Sequence, residues 1–347
     1  MTDVRVSSGA VRVGRLGTTA AWISAAACLP YLFLKVLWTL GLPVGVTDRS
    51  QLHSNEWVGG NAVMAVVQLA AVVLVLALVR PWSARVPTWL LLFPVWVGTG
   101  LLSQVVVGSA LVGLSSTASQ GSGMDTGGIA PWVYVVVYTS FAVQGAALAI
   151  AFTCHVRARW SRPLGERTGA ILAPPVARVQ PRSERHLGIW AQMVAVLALV
   201  VALVFTYWAA GGSVGLSEAR PHDAAAMQAS RAVGAVLAAA GLLGVAGRWG
   251  NQRRFWLPAG LTWVGSGAMV AFDLLTVVVN RLFSIFGTSL PDADWAPIDT
   301  ALMLKVVIGV LAALVGVLAV TVAANNHREP ARKPRRKPYR PSVGVAQ

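Results

Sequence analysis

Long apolar runs broken by short polar stretches set the rhythm of this chain. Eight runs cover 19–41, 58–79, 88–114, 130–155, 187–211, 224–247, 255–280 and 300–324. Each carries the roughly 20 apolar residues that a hydrocarbon layer of about 30 Å demands. Lipid offers no water to satisfy open backbone groups, so each run is expected to form a helix. Two runs are imperfect: Pro30 and Lys35 interrupt the first, and Arg231 interrupts the sixth. Between the runs, "GLSSTASQGSGMDTGGIAP" (113–131) has the composition of a flexible outer loop. "RLFSIFGTSL" (281–290) is too short to span and is expected to lie on the outer surface or to cap a cavity.

The pattern also repeats. At a shift of 167 residues, "WLLLFPVWVGTG" (89–100) meets "WLPAGLTWVGSG" (256–267) with six of twelve positions identical, both tryptophans among them. At a shift of 170, "WTLGLPVGVTD" (38–48) meets "WAAGGSVGLSE" (208–218). The slip of three falls in a short polar loop, where insertions are tolerated. Helices one to four and five to eight are therefore read as copies of one four-helix unit. Each unit has an even number of crossings, so both copies run the same way, as a parallel repeat about an axis along the membrane normal. The expected fold is all-α and polytopic, with transmembrane repeats at 19–155 and 187–324, a linker at 156–186 and tails at 1–18 and 325–347.

Composition agrees with lipid as part of the solvent: 56% of residues are hydrophobic and 12% charged, against roughly 25% charged in a soluble domain. The formal charge of +15 raises the question of nucleic acid, and its distribution answers it. With the N-terminus in the cytoplasm, 22 of the 28 Lys and Arg fall in inside segments and only Arg49, Arg220 and Arg281 outside. That is the positive-inside signature, with both termini cytoplasmic. Arg outnumbers Lys 24 to 4 amid abundant Ala, Val and Gly, which points to a GC-rich bacterium and its plasma membrane. The Arg- and Pro-rich linker lacks helical periodicity. The tail "HREPARKPRRKPYRP" is disordered by composition, and its seven basic residues would attract anionic lipid headgroups at about 1 kcal/mol each. Cys28 and Cys154 fall at different depths, so no disulfide is expected. "AAAC" before Leu29 looks like a lipoprotein cleavage site, but the apolar run continues beyond it, so the helix is expected to be retained.

The repeated motifs read as helix-packing anchors. Trp89 and Trp96, like Trp256 and Trp263, are seven apart and share a helix face, with Gly100 and Gly267 one turn further. Gly98, Gly100, Gly265 and Gly267 permit close backbone approach, the usual device of lipid-embedded helices.

Four ionisable residues inside the runs change the picture most. Lys35, Arg231, Asp273 and Lys305 each lie five to seven residues from the outer end of a different helix, hence at about 8–11 Å depth. A charge at mid-span costs about 2.5–3.5 kcal/mol on insertion scales, so such groups need partners or a task. Long Lys and Arg stems can reach the headgroups, but Asp273 is too short to do so. Arg231 is the first candidate partner for Asp273 and Lys305 the second. Three cations against one anion leave positive charge unmatched, which would suit an anionic ligand in an outward-facing cavity between the repeats. The repeats differ here: Asn61 stands where the second copy has Arg231, Phe205 where the first has Lys35, Tyr138 where the second has Lys305, and Gln104 or Val105 near Asp273.

Other chemistry is thin. Asp48, His53 and Glu56, with Glu218, His222 and Asp223, hold ligand-type residues on two outer loops, but without the tight spacing of a zinc site. Haem would need paired histidines within the spans, and only His155 is near one. No metal or other cofactor is expected, and no catalytic constellation argues for an enzyme. The expected function is a permease-like protein binding a small or amphiphilic, anionic ligand. The alternative is a non-transporting scaffold or sensor subunit engaging lipid or a cytoplasmic partner through its basic linker and tail.

Overall fold

The computed structural model describes residues 14–50, 52–80, 87–118, 128–165, 167–168, 182–216, 224–250, 253–285 and 299–328. Those residues are all-helical: α1 (Arg15–Ala27), α2 (Leu29–Thr39), α3 (Asn55–Val79), α4 (Thr88–Ala118), α5 (Pro131–Gly165), α6 (Arg182–Ala209), α7 (Ala224–Val245), α8 (Trp256–Ile285) and α9 (Asp299–Arg328). With α1 and α2 counted as one span, eight are long and apolar enough to cross a membrane. The protein is a multi-pass membrane protein. Large apolar side chains such as Phe33, Val135, Leu203 and Met303 stand exposed on the outer helix faces, as lipid contact requires.

The first span is broken at Cys28. Pro30 has no N–H to give to Ala26, and the Cys28 N–H turns instead to the carbonyls of Ala25 and Ala26. α1 then packs on α5 and α3, while α2 packs on α3 and α5 further along. α6, α7, α8 and α9 close into a ring, α7 against α6 and α8, and α9 against α8 and α6. α7 is the most enclosed span, with 67% of its apolar window buried. Its Arg231 therefore faces protein rather than lipid. α4 joins the two groups of helices, packing on α8 and α7 on one side and on α5 on the other.

Two turns share one geometry at a shift of 170. Trp38 Nε1 donates to the Val44 carbonyl and Trp208 Nε1 to the Val214 carbonyl, both at 2.8 Å. Gly41 and Gly45 have positive φ (75° and 70°), and so do Gly211 and Gly215 (116° and 84°), conformations open to glycine at no steric cost. The first turn is further tied to the start of α5: Thr47 N–H donates to Gly128 O and Ala130 N–H to Gly45 O, each at 2.8 Å.

Several helix ends differ from the sequence reading. α5 runs on to Gly165 and α6 begins at Arg182, so both reach into 156–186. Arg is a good helix former, and a helix can continue where its side chains meet water. α4 continues to Ala118 and α8 to Ile285, each carrying helix into stretches read as loop or cap. The remaining residues of those stretches, 119–127 and 286–290, lie outside the described residues, as do 166 and 169–181 of the linker and most of both tails. Cys28 and Cys154 are free thiols.

Candidate functional site

The two copies of the tryptophan motif meet face to face. Trp96 Nε1 donates to Ser266 Oγ at 3.0 Å, and Trp263 Nε1 donates to Thr99 Oγ1 at 3.1 Å. Between these bonds the backbones of α4 and α8 touch: a Cβ on Gly100 would overlap the Gly267 carbonyl group, and one on Gly267 would press on Trp96 O. Gly265 makes a similar approach to Ala238 on α7, whereas Gly98 has open space where a Cβ would sit. Gln104 completes the seam, its Nε2 donating to Ser230 O and Ala268 O at 3.2 Å while Ser230 Oγ donates back at 2.7 Å. Trp89 and Trp256 turn outward, 69% and 49% exposed. This position suits the interfacial anchoring common for tryptophan.

The four intramembrane charges divide into two groups. Asp273 on α8 takes Lys305 Nζ of α9 at 2.6 Å and Arg231 of α7 at 3.7 Å. Lys305, the second candidate from sequence, is the closer partner. All three side chains are screened from solvent, with Lys305 1% and Arg231 7% exposed. The Phe205 ring lies against both cations, 5.8 Å from the Arg231 guanidinium and 5.4 Å from Lys305 Nζ. Arg231 also donates to Gln228 Oε1 at 3.2 Å. Two positive charges and one negative remain locked among four helices of the second half. The arrangement resembles an interior ion pair, whose main effect is to fix helix register.

Lys35 lies elsewhere, in the first half. Its Nζ donates to Asn61 Oδ1 at 2.8 Å and sits over the rings of Tyr31 and Trp38 at 5.1 and 4.8 Å. No carboxylate among the described residues pairs with it. It lines a cavity of about 290 Å³ walled by α2, α4 and α5, in which Tyr31, Trp38, Tyr134, Tyr138 and Phe141 supply an aromatic lining. Every lining residue lies between Tyr31 and Phe141, so the cavity is inside the first half and not between the halves. Ile129, from the segment bonded to the first turn, closes one edge. Tyr138 stands at its rim, 46% exposed. Trp57 packs at a tilt against Trp38, ring centroids 5.6 Å apart, and its buried Nε1 has no hydrogen-bond partner among the described residues.

Lys35, Asn61 and Tyr138 stand 170, 170 and 167 residues before Phe205, Arg231 and Lys305. Lys35 is hydrogen-bonded to Asn61, and the Phe205 ring lies 5.8 Å from the Arg231 guanidinium. The first set holds one ammonium beside a cavity, and the second a phenyl ring beside an ion-pair cluster.

Of the outer-loop residues, Asp48 accepts the Ser50 N–H at 2.9 Å, a backbone bond that holds its carboxyl below the usual carboxylate value. His53 packs on Gly41. Glu218, His222 and Asp223 lie outside the described residues. Sequence reasoning noted Gln104 only as a counterpart of Asp273 and passed over Gln68, Gln144 and Trp57, because amides and indoles carry no formal charge. Buried amides within apolar runs were the available signal.

No protein-family model, curated protein or solved structure matches this chain.

Proposed function

We propose that this protein is a permease-like membrane protein that takes a small amphiphilic anion into the Lys35 cavity. The observation that carries this reading is an ammonium that no carboxylate among the described residues pairs with, in the lining of an aromatic cavity. Burying a charge is tolerable when a partner arrives, and an apolar pocket with one oriented charge is the usual design of a small-ligand site. An aromatic or short aliphatic carboxylate would place its tail among Tyr31, Trp38 and Phe141 and its anion on Lys35 Nζ.

The halves are read as two copies of one four-helix unit, supported by the matching turns and the reciprocal tryptophan bonds. The 22-to-3 charge bias supports cytoplasmic termini, and the cavity then faces outward. Arg abundance favours a bacterial plasma membrane.

The experiment is thermal unfolding of the full chain in lipid nanodiscs with benzoate, benzamide or benzylamine, three rings of like size and different charge. Benzoate raises the midpoint of the wild type, benzamide raises it less and benzylamine does not. Lys35→Gln abolishes the benzoate shift. A full shift in Lys35→Gln refutes the cavity reading. No shift with benzoate, octanoate or benzenesulfonate favours a scaffold or sensor subunit acting through its basic linker and tail.

A further inference from the structure

Buried polar side chains continue away from the Lys35 cavity along the faces that α1, α3 and α5 turn to one another. Asn61 and Gln68 are seven apart on α3, two turns and about 10 Å along one face. Gln68 Nε2 donates to Gln144 Oε1 of α5 at 3.0 Å, and Ser24 Oγ of α1 donates to the Gln144 carbonyl at 3.1 Å. About three turns further along the same two helices, His155 Nδ1 lies 2.8 Å from Leu78 O. Gln68, Gln144 and His155 are all buried. Between the amide pair and the histidine lies an apolar layer that includes Ala21, Val75, Leu148 and Ala151.

Interhelical amide bonds are a common glue in membranes, at about 0.6 kcal/mol each. Glue alone leaves a contrast unexplained. The positions related to Gln68, Gln144 and His155 in the second half are Ala238, Leu311 and Val322, and its buried amide Gln228 bonds to Arg231 of its own helix, not across to a neighbouring one. Among the described residues, the amide pair that joins two helices is Gln68 with Gln144, in the half that contains the cavity.

The α4–α8 contact at Gly100 and Gly267 is packed at backbone distance, which favours the halves moving as one body. The first span offers movement instead. α2 carries the cavity wall, α1 carries part of the apolar layer, and the break at Cys28 lies between them. Pieces of a discontinuous helix can shift separately.

Resting on the cavity reading above, we infer that the file from Lys35 past Gln68 and Gln144 to His155 is the route by which the bound anion crosses the membrane. The layer of Ala21, Val75, Leu148 and Ala151 is its inner gate, and α1 opens it by moving about the break at Cys28. The amides supply N–H donors to the anion midway, where water is excluded.

The test is uptake of radiolabelled benzoate by liposomes containing the full chain, beside thermal stabilisation by benzoate of the same variants. Replacing both amides, Gln68→Leu with Gln144→Leu, leaves no orphaned partner and so is compatible with folding. The double variant keeps the benzoate-induced midpoint shift and loses at least ten-fold in uptake. Unchanged uptake overturns the route, and so does a wild type that binds benzoate without moving it. A wild type that does not bind benzoate at all removes the cavity reading, and the route with it. Should the double variant not fold, Ala151→Cys in a Cys28→Ala, Cys154→Ser chain reads the gate directly. An impermeant thiol reagent applied from the side of the termini labels it faster when benzoate is present. Labelling indifferent to benzoate overturns the gate.

Discussion

Trp96 and Trp263 bond reciprocally: each indole N–H reaches the hydroxyl that lies three residues beyond the other tryptophan, Ser266 and Thr99 respectively. The contact is small, but it brings α4 and α8 together at glycine distance and so sets where the two halves meet. In lipid there is no hydrophobic force between helices, so close packing and such bonds carry the association.

The first prediction separates two glycines of one motif. Gly100→Ala drives a methyl into the Gly267 carbonyl and costs about 1–3 kcal/mol, as overpacking does. Gly98→Ala meets nothing and is neutral or stabilising by about 0.5–1 kcal/mol, since alanine is the better helix former. Thermal midpoints in one detergent check the order, and equal losses at both sites contradict it.

The second concerns the charge cluster. Asp273→Asn leaves Lys305 and Arg231 buried without an anion and destabilises by about 3–5 kcal/mol. Lys305→Met leaves one cation facing one anion and is milder. Adding Lys305→Met to Asp273→Asn recovers part of the loss, because the cluster returns to a single net charge. A double variant as unstable as the sum of the singles would show that the two residues do not interact.

Much of this architecture could be read directly from residues. The eight spans follow from length and apolarity, because a bilayer imposes one dimension on every segment. Asp273 announced a buried partner, since a short carboxylate cannot leave the membrane interior. What sequence did not yield is three-dimensional adjacency. Four charges at one depth implied convergence, yet depth fixes a layer and not a position within it, and Lys35 lies in a separate chamber. The aromatic walls were equally silent, because Tyr31, Trp38 and Phe141 are ordinary residues for a lipid-facing helix. Gln68 and Gln144 escaped for another reason: 76 residues part them, and only the fold makes them a pair.

A third prediction fixes orientation. In a Cys28→Ala, Cys154→Ser chain, Asp48→Cys reacts in intact cells with a membrane-impermeant maleimide, whereas Arg248→Cys reacts only after the cells are opened. Both positions are exposed and lie in connections between helices. The reverse pattern inverts the topology and turns the cavity inward.

A fourth concerns Phe205. Phe205→Leu removes the ring from beside both Arg231 and Lys305 and costs about 0.5–2 kcal/mol for each lost cation–π contact, together with packing. Phe205→Tyr retains the ring face and is nearly silent. Comparable losses in the two variants would show that ring volume and not its electron-rich face matters.

The ring of Phe205 also has a bearing on how such a bundle acquires or loses capacity. Phe205 is buried 170 residues after Lys35, which borders a cavity. On the proposed reading of the halves as copies, exchange of that side chain and its neighbours would close one vestibule or furnish a second while the scaffold stood still.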